Sequence, residues 1–108
     1  MGENMGIYLG PPKMRDLATP LRECKAGSSL INLNRELMGK TVCFEVDGRP
    51  ERKMRIIVGI DVLPEIIVLL FSIDGRISIK VNREDQSMVY FFDAHFFSSK
   101  ILNAVIFD

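Results

Sequence analysis

The sequence predicts a mainly-β fold: a small five- or six-stranded antiparallel barrel or strongly bent sheet with a short N-terminal helix. From Thr41 onward, apolar residues recur with a period of two, which is typical of strands. An Asp74-Gly75 pair separates two β-type runs, as it does in a hairpin. Short strands in up-and-down order favour a curled sheet, because curling hides the sheet edges.

Residues 1–27 are predicted to be an N-terminal arm, and residues 28–108 a single small domain with a leading helix. The arm contains glycines and three prolines, so we expect no more than one helical turn there, over residues 14–17 and ending before Pro20. An ordered arm and a partly flexible tail both remain open. Residues 28–39 have partial helical spacing, with Asn34 placed to cap a final short helix and Gly39 to end it.

Two antiparallel strands are predicted between Thr41 and Ile60, joined by a turn at residues 47–50. The first is half-buried, since Val42, Phe44 and Val46 alternate with less apolar residues. In the second, one face consists of Met54 and every second residue up to Ile60. The other face carries Lys53 and Arg55, followed by Ile57 and Gly59.

The hairpin over residues 66–82 is the strongest local signal. A two-residue type I′ turn at Asp74-Gly75 places Leu70 opposite Ile79 and assigns the Leu70 face to the core. The opposite face of this strand is also apolar, so a second layer of this chain or another chain must cover it. With one aromatic residue of the predicted fifth strand, this face is the predicted interface: Ile67, Leu69, Phe71, Ile73 and Phe91.

A fifth strand is predicted over residues 88–92, and the segment 93–108 has two interpretations. Asp93 could cap a helix with Phe97, Ile101 and Val105 on one face. Alternatively, residues 101–107 form a sixth strand, which the Val-Ile-Phe sequence favours.

Composition excludes several classes of function. Fourteen basic and fourteen acidic residues cancel, which argues against a dedicated DNA-wrapping protein. No signal peptide or stretch long enough to cross a membrane is visible, so we expect a cytoplasmic protein with no membrane partner. Cys24 and Cys43 are expected to be free thiols.

No motif predicts catalysis, a metal site or a small-molecule cofactor. His95 is the only histidine, and Asp93-Ala94-His95 is at most half of a metal site. No nucleophile elbow, phosphate-binding glycine loop or dinucleotide fingerprint occurs. We therefore predict a protein that is not an enzyme.

Basic residues on the second strand and on the hairpin suggest a cationic strip, if the sheet brings their faces together. Aromatic residues of the same sheet (Phe71, Tyr90 and Phe91) could then stack on the bases of single-stranded RNA. The alternative is a solvated face that Glu45, Asp47 and Glu51 neutralise. The residues of the predicted strip are Arg49, Arg52, Lys53, Arg55, Arg76 and Lys80.

Residues 30–70 resemble the first motif of Sm-like proteins in the order of their features: residues 37–42, Asp47-Gly48-Arg49 and Gly59-Ile60-Asp61. The resemblance implies an SH3-like or Sm-like bent barrel that forms rings and binds RNA. The chain departs from the family pattern in the longer spacing from Arg49 to Asp61 and in Glu65, which stands where the family has asparagine. No RNA-contacting residue of the family therefore transfers to this chain.

The leading hypothesis is a non-enzymatic interaction module that forms a homo-oligomer through the predicted interface or an exposed sheet edge. The alternative is an Sm-like or oligonucleotide-binding barrel that contacts single-stranded RNA through the basic strip. A small inhibitor or immunity-type protein is a second alternative, based on size and on the absence of catalytic groups alone.

Overall fold

The computed structural model describes residues 14–22, 29–93 and 97–108. Within these ranges the chain forms two helices, α1 (Ala18–Arg22) and α2 (Ser29–Leu37), and one antiparallel sheet curled into a half-barrel. The predicted mainly-β fold is confirmed. The eight strands are β1 (Met14–Asp16), β2 (Thr41–Val46), β3 (Arg52–Ile56), β4 (Gly59–Val62), β5 (Ile66–Leu70), β6 (Ile77–Asn82), β7 (Met88–Phe92) and β8 (Ser98–Phe107).

The sheet curls because its two outermost strands are consecutive in the chain. The strand order is β3-β2-β8-β7-β6-β5-β4, with β1 also paired to β8. Only Ile57 and Val58 separate β3 from β4. Their amides hydrogen-bond to residues near opposite edges of the sheet. The amide of Ile57 donates to the carbonyl of Lys40 at 3.0 Å, and that of Val58 donates to the carbonyl of Leu70 at 2.8 Å. The single strand predicted up to Ile60 is therefore wrong, because the chain bends there and changes its pairing partner.

The β5–β6 hairpin has a different turn from the predicted one. Gly75 has a φ of 77° but Asp74 has no positive φ, and the amide of Gly75 donates to the carbonyl of Ser72 at 3.1 Å. A tight turn followed by a left-handed glycine is the three-residue type of hairpin loop. It pairs Leu69 with Ile79 and Leu70 with Ser78, one residue away from the predicted register.

This one-residue shift reverses the two faces of β5, since side chains alternate along a strand. Ile67 and Leu69 are 1% and 0% exposed, in the core, whereas Val68 and Leu70 are partly exposed on the outer face. The prediction that the Leu70 face belongs to the core is wrong. The alternation predicted for β6 is confirmed, with Ile79 and Val81 buried and Lys80 exposed.

The core lies on the inner face of the half-barrel. Four buried residues stand in register across β4 to β7: Ile60, Leu69, Ile79 and Tyr90. Leu33 and Leu37 of α2 belong to the same cluster, as do Leu17 and Leu21 at α1. Each fully buried aliphatic side chain stabilises the fold by about 1.5–3 kcal/mol.

The N-terminal elements differ in detail from the prediction. Residues 14–16 form a strand, and Pro20 lies inside the first turn of α1, where its missing amide hydrogen costs no hydrogen bond. Leu17 and Leu21 are buried, so residues 14–22 correspond to the ordered-arm alternative. Helix α2 is continuous through Asn34, and Gly39 has the predicted left-handed backbone, with φ of 80°.

The strand interpretation of the C-terminal segment is confirmed. β8 pairs with β7 through residues 98–100 and with β2 through residues 101–107. A bulge opposite Phe44 interrupts the pairing of β8 with β2, and Asn103 adopts a φ of 53° there. The amide group of Asn103 also donates to Glu45 Oε2 at 2.9 Å, which holds the bulge in place.

Candidate functional site

A pocket of about 340 Å³ opens where β3 faces the end of β7 and the start of β8. We call it the cationic pocket. Its lining consists of three basic and three aromatic residues: Arg49, Lys53, Arg55, Tyr90, Phe92 and Phe97.

Strand β3 turns its basic face toward this pocket. Lys53 pairs with Phe44 and Arg55 with Val42, and both of these partners are buried residues of the inner face. The two basic side chains are therefore on the inner side, partly buried, while Met54 is 61% exposed on the outer side. Long basic side chains can occupy such positions because their methylene stems cover apolar surface and their charged ends reach solvent.

Arg55 is held at the pocket floor by Tyr90. Its Nε and Nη2 donate to Tyr90 Oη at 3.1 and 3.0 Å. The Tyr90 side chain is itself fixed by packing, being 0% exposed with its ring centroid 4.9 Å from that of Phe44 and 5.7 Å from that of Phe97. Arg55 is thus a positive charge in a set position, and its partner is a neutral oxygen.

Arg49 forms another wall of the pocket. It follows the turn at residues 47–48, where Gly48 has a φ of 80° and the amide of Arg49 donates to the carbonyl of Val46 at 2.9 Å. Its guanidinium carbon lies 4.5 Å from the ring centroid of Phe97, a cation–π contact. The turn and the ring together direct this charge to the same opening as Lys53 and Arg55.

The three cations of the pocket form no ion pair with any carboxylate in the described ranges. Four other basic residues do form ion pairs: Arg15, Lys40, Arg52 and Arg76. Asp108 accepts hydrogen bonds from Arg15 and Lys40, which lower the pKa of its carboxyl group. Three positive charges without an ion-pair partner in the described ranges therefore meet at one pocket, although the whole chain is neutral.

The predicted basic strip is not continuous. Arg49, Lys53 and Arg55 meet at the pocket, but Arg52 lies on the outer face, where Glu45 pairs with it at 2.9 Å. Arg76 is at the hairpin turn, 3.9 Å from Asp74, and Lys80 projects from the outer face of β6. A continuous strip requires the basic face of β3 and the Lys80 face of β6 to lie on the same side of the sheet. They lie on opposite sides.

The predicted interface is also divided. Ile67 and Leu69 are in the core, and Phe71 is partly buried and packs against it. Ile73 is 99% exposed at the hairpin tip. Phe91 is on the outer face, so Ile67 and Leu69 cannot form an interface with it.

The outer face of β5 and β7 nevertheless carries a group of partly exposed apolar residues. Leu70 and Phe91 lie on either side of Ser78 in register, and Val68 and Val89 on either side of Lys80. The Lys80 ammonium group is 4.7 Å from the centroid of the Phe91 ring. We call this group the outer apolar patch: Ile66, Val68, Leu70, Val89 and Phe91.

Phe92 and Phe97 are pocket residues that the sequence prediction did not include. Phe92 shares a strand face with Tyr90, so the period of two along β7 carried the necessary signal. Phe97 follows residues 94–96, which lie outside the described part of the chain, and no local pattern placed it beside Arg49.

Among the described residues, no three His, Cys, Asp or Glu side chains are grouped as metal ligands, and no helix has the length and apolar character needed to span a membrane. Cys43 is a buried free thiol, whereas Cys24 and His95 lie outside the described residues.

Comparison with known proteins gives no relative. A scan against protein-family models, a search of curated proteins and a search of solved structures each found no match to this chain.

Proposed function

We propose that this protein is a non-enzymatic module that binds single-stranded nucleic acid through the cationic pocket. The observation that carries the proposal is the set of three cations without carboxylate partners in the described ranges, next to Phe92, whose side chain is 47% exposed. Proteins that bind single strands combine contacts between cationic side chains and phosphates with stacking of the bases on aromatic rings.

The positions of the groups support this function. Lys53 and Arg55 are two residues apart on one strand face and Arg49 approaches from the adjoining turn, so their charges surround one opening. Tyr90 holds Arg55 in place before a ligand arrives, which reduces the ordering cost of binding. The resemblance to Sm-like proteins makes RNA the first strand to test.

We expect Lys53→Gln and Phe92→Leu each to weaken RNA binding by roughly tenfold, the size of one lost phosphate contact or one lost stacking contact. Lys80→Gln is the matched control, since it removes a lysine from the outer face of the same sheet. Fluorescence anisotropy with a short labelled single strand would measure the affinities at several salt concentrations. Affinity should fall as salt rises.

Two results would contradict this proposal. One is the absence of binding at low salt to any single-stranded RNA or DNA. The other is an equal loss of affinity in Lys53→Gln and Lys80→Gln, which would mean that the contact is diffuse attraction to a cationic surface.

The outer apolar patch supports a second candidate function, self-association. The patch lies on the outer face of β5 and β7. Beside β5 is β4, an edge strand that pairs with β5 alone among the described strands. A second copy of the chain covering this patch would remove its five apolar side chains from water. This proposal keeps the predicted homo-oligomer and moves its interface to the opposite face of β5.

Val68→Lys is expected to convert an oligomer to a monomer, because it places a charge at the centre of the patch. Light scattering coupled to size exclusion, at on the order of 50 μM protein, would measure the mass; many transient homodimers are populated at such concentrations. Ile73→Lys is the control, since Ile73 is apolar and exposed but far from the patch along the hairpin. A wild-type protein that is monomeric under these conditions would contradict self-association.

A further inference from the structure

We infer that the cationic pocket binds the terminal phosphate monoester of a nucleic acid strand through Arg55, which the Tyr90 hydroxyl holds in place. The inference rests on the proposed function and specifies which part of the strand enters the pocket.

Tyr90 fixes the position of Arg55 at the pocket. Its hydroxyl oxygen accepts two hydrogen bonds from Arg55, at 3.1 and 3.0 Å. The tyrosine is 0% exposed, so its hydroxyl lies behind the guanidinium group and does not itself meet a ligand. It holds Arg55 in place, and Arg55 is the group that contacts the phosphate.

Arg55 has donors available at the same place. A guanidinium group carries five N–H bonds, and Tyr90 takes one from Nε and one from Nη2. The three remaining N–H bonds can therefore donate to different oxygens of one ligand group. A phosphate monoester offers three strong acceptor oxygens, whereas a phosphodiester inside a strand offers two unesterified ones.

The charge of the pocket fits a monoester better than a diester. A phosphate monoester has a charge of about −1.5 to −2 at neutral pH, and a diester has about −1. Arg49, Lys53 and Arg55 supply three positive charges, and no carboxylate lines the pocket within the described ranges. A dianion is therefore attracted more strongly than a monoanion to the same place.

The size of the pocket is consistent with the end of a strand. Its volume of about 340 Å³ is near the lower end of the range of roughly 300–1,000 Å³ that is usual for small-molecule sites. The exposed Phe92 ring at the opening can stack on the base next to the phosphate, while the rest of the strand continues into solvent.

Three oligonucleotides of one sequence would test this inference: one with a 5′-phosphate, one with a 3′-phosphate and one with neither. We expect one phosphorylated end to bind about tenfold more tightly than the unphosphorylated strand, as one additional charge-assisted contact would produce. Equal affinity of all three would overturn the inference and leave the proposed function intact. If none of the three binds, the proposed function itself fails.

Tyr90→Phe isolates the hydroxyl, since it retains the ring that packs against Phe44. We expect this variant to weaken binding of the phosphorylated strand more than that of the unphosphorylated strand, with Lys80→Gln as a control that changes the preference in neither direction. Thermal unfolding would establish that Tyr90→Phe is folded. An unchanged preference in a folded Tyr90→Phe protein would contradict the role of the hydroxyl.

The preference should also decrease from pH 7 to pH 5, because the monoester loses its second charge with a pKa of about 6. A preference that is constant over this interval would contradict recognition of the dianion. A nucleoside monophosphate serves as competitor. If it displaces the phosphorylated strand as effectively, mole for mole, as an unlabelled copy of that strand does, the ligand is a free nucleotide and the inference is wrong.

Discussion

Leu69→Ala is expected to lower the free energy of unfolding by about 2–5 kcal/mol, whereas Leu70→Ala should cost about 1 kcal/mol or less. The two residues are neighbours of the same type on the same strand, so composition and strand propensity change equally. Leu69 is fully buried between Ile60 and Ile79, and its truncation leaves a cavity. Leu70 is partly exposed on the outer face, where water and neighbouring side chains can fill the space.

Urea unfolding followed by circular dichroism would measure both variants, with the slope of the transition as a check that unfolding remains two-state. The expected loss in Leu69→Ala is a large share of the roughly 5–15 kcal/mol of a typical domain. If Leu70→Ala were the more costly variant, the hairpin would have the register of a two-residue turn and β5 would face the opposite way.

Leu33→Ala in α2 should have a similarly large effect, about 2–5 kcal/mol, whereas Leu30→Ala should change stability by roughly 0.5 kcal/mol or less. Leu33 is 2% exposed and belongs to the core cluster of the half-barrel, whereas Leu30 in the same helix is 44% exposed. Helix propensity changes equally in both, so the difference between them reports the packing of α2 on the sheet.

Thermal unfolding of both variants provides the measurement. A loss of about 1 kcal/mol lowers the unfolding midpoint of a domain of this size by roughly 4–8 °C. Small, equal shifts in the two variants would mean that the helix does not contribute to the core, and that another element covers the inner face of β4.

The strands could be predicted from periodicity, but which face of β5 is buried could not. β2, β6, β7 and the C-terminal strand have patterns that local sequence is sufficient to recognise. For β5, both faces are apolar, so only the turn decides the orientation, and Asp-Gly is compatible with a two-residue or a three-residue loop. One additional residue in that loop reverses the faces of the strand.

The same reasoning explains the candidate site. Lys53 and Arg55 were correctly predicted to share a face, because they are two residues apart in a strand. The alternation of Met54 with them favours an apolar inner face, yet the pairing of β3 with β2 places the basic residues inside. That orientation depends on contacts across the sheet, as does the approach of Phe97 to Arg49, and neither has a local signature in the sequence.

The position of β8 affects how the chain can reach its folded state. This strand is last among the described elements, yet it lies inside the sheet and joins β1 and β2 to β7. A ribosome must therefore have synthesised residues 98–107 before β1 and β2 can find their partner. Until then, β2 and β7 each expose an edge with unpaired backbone groups, and such edges favour pairing with other chains during synthesis.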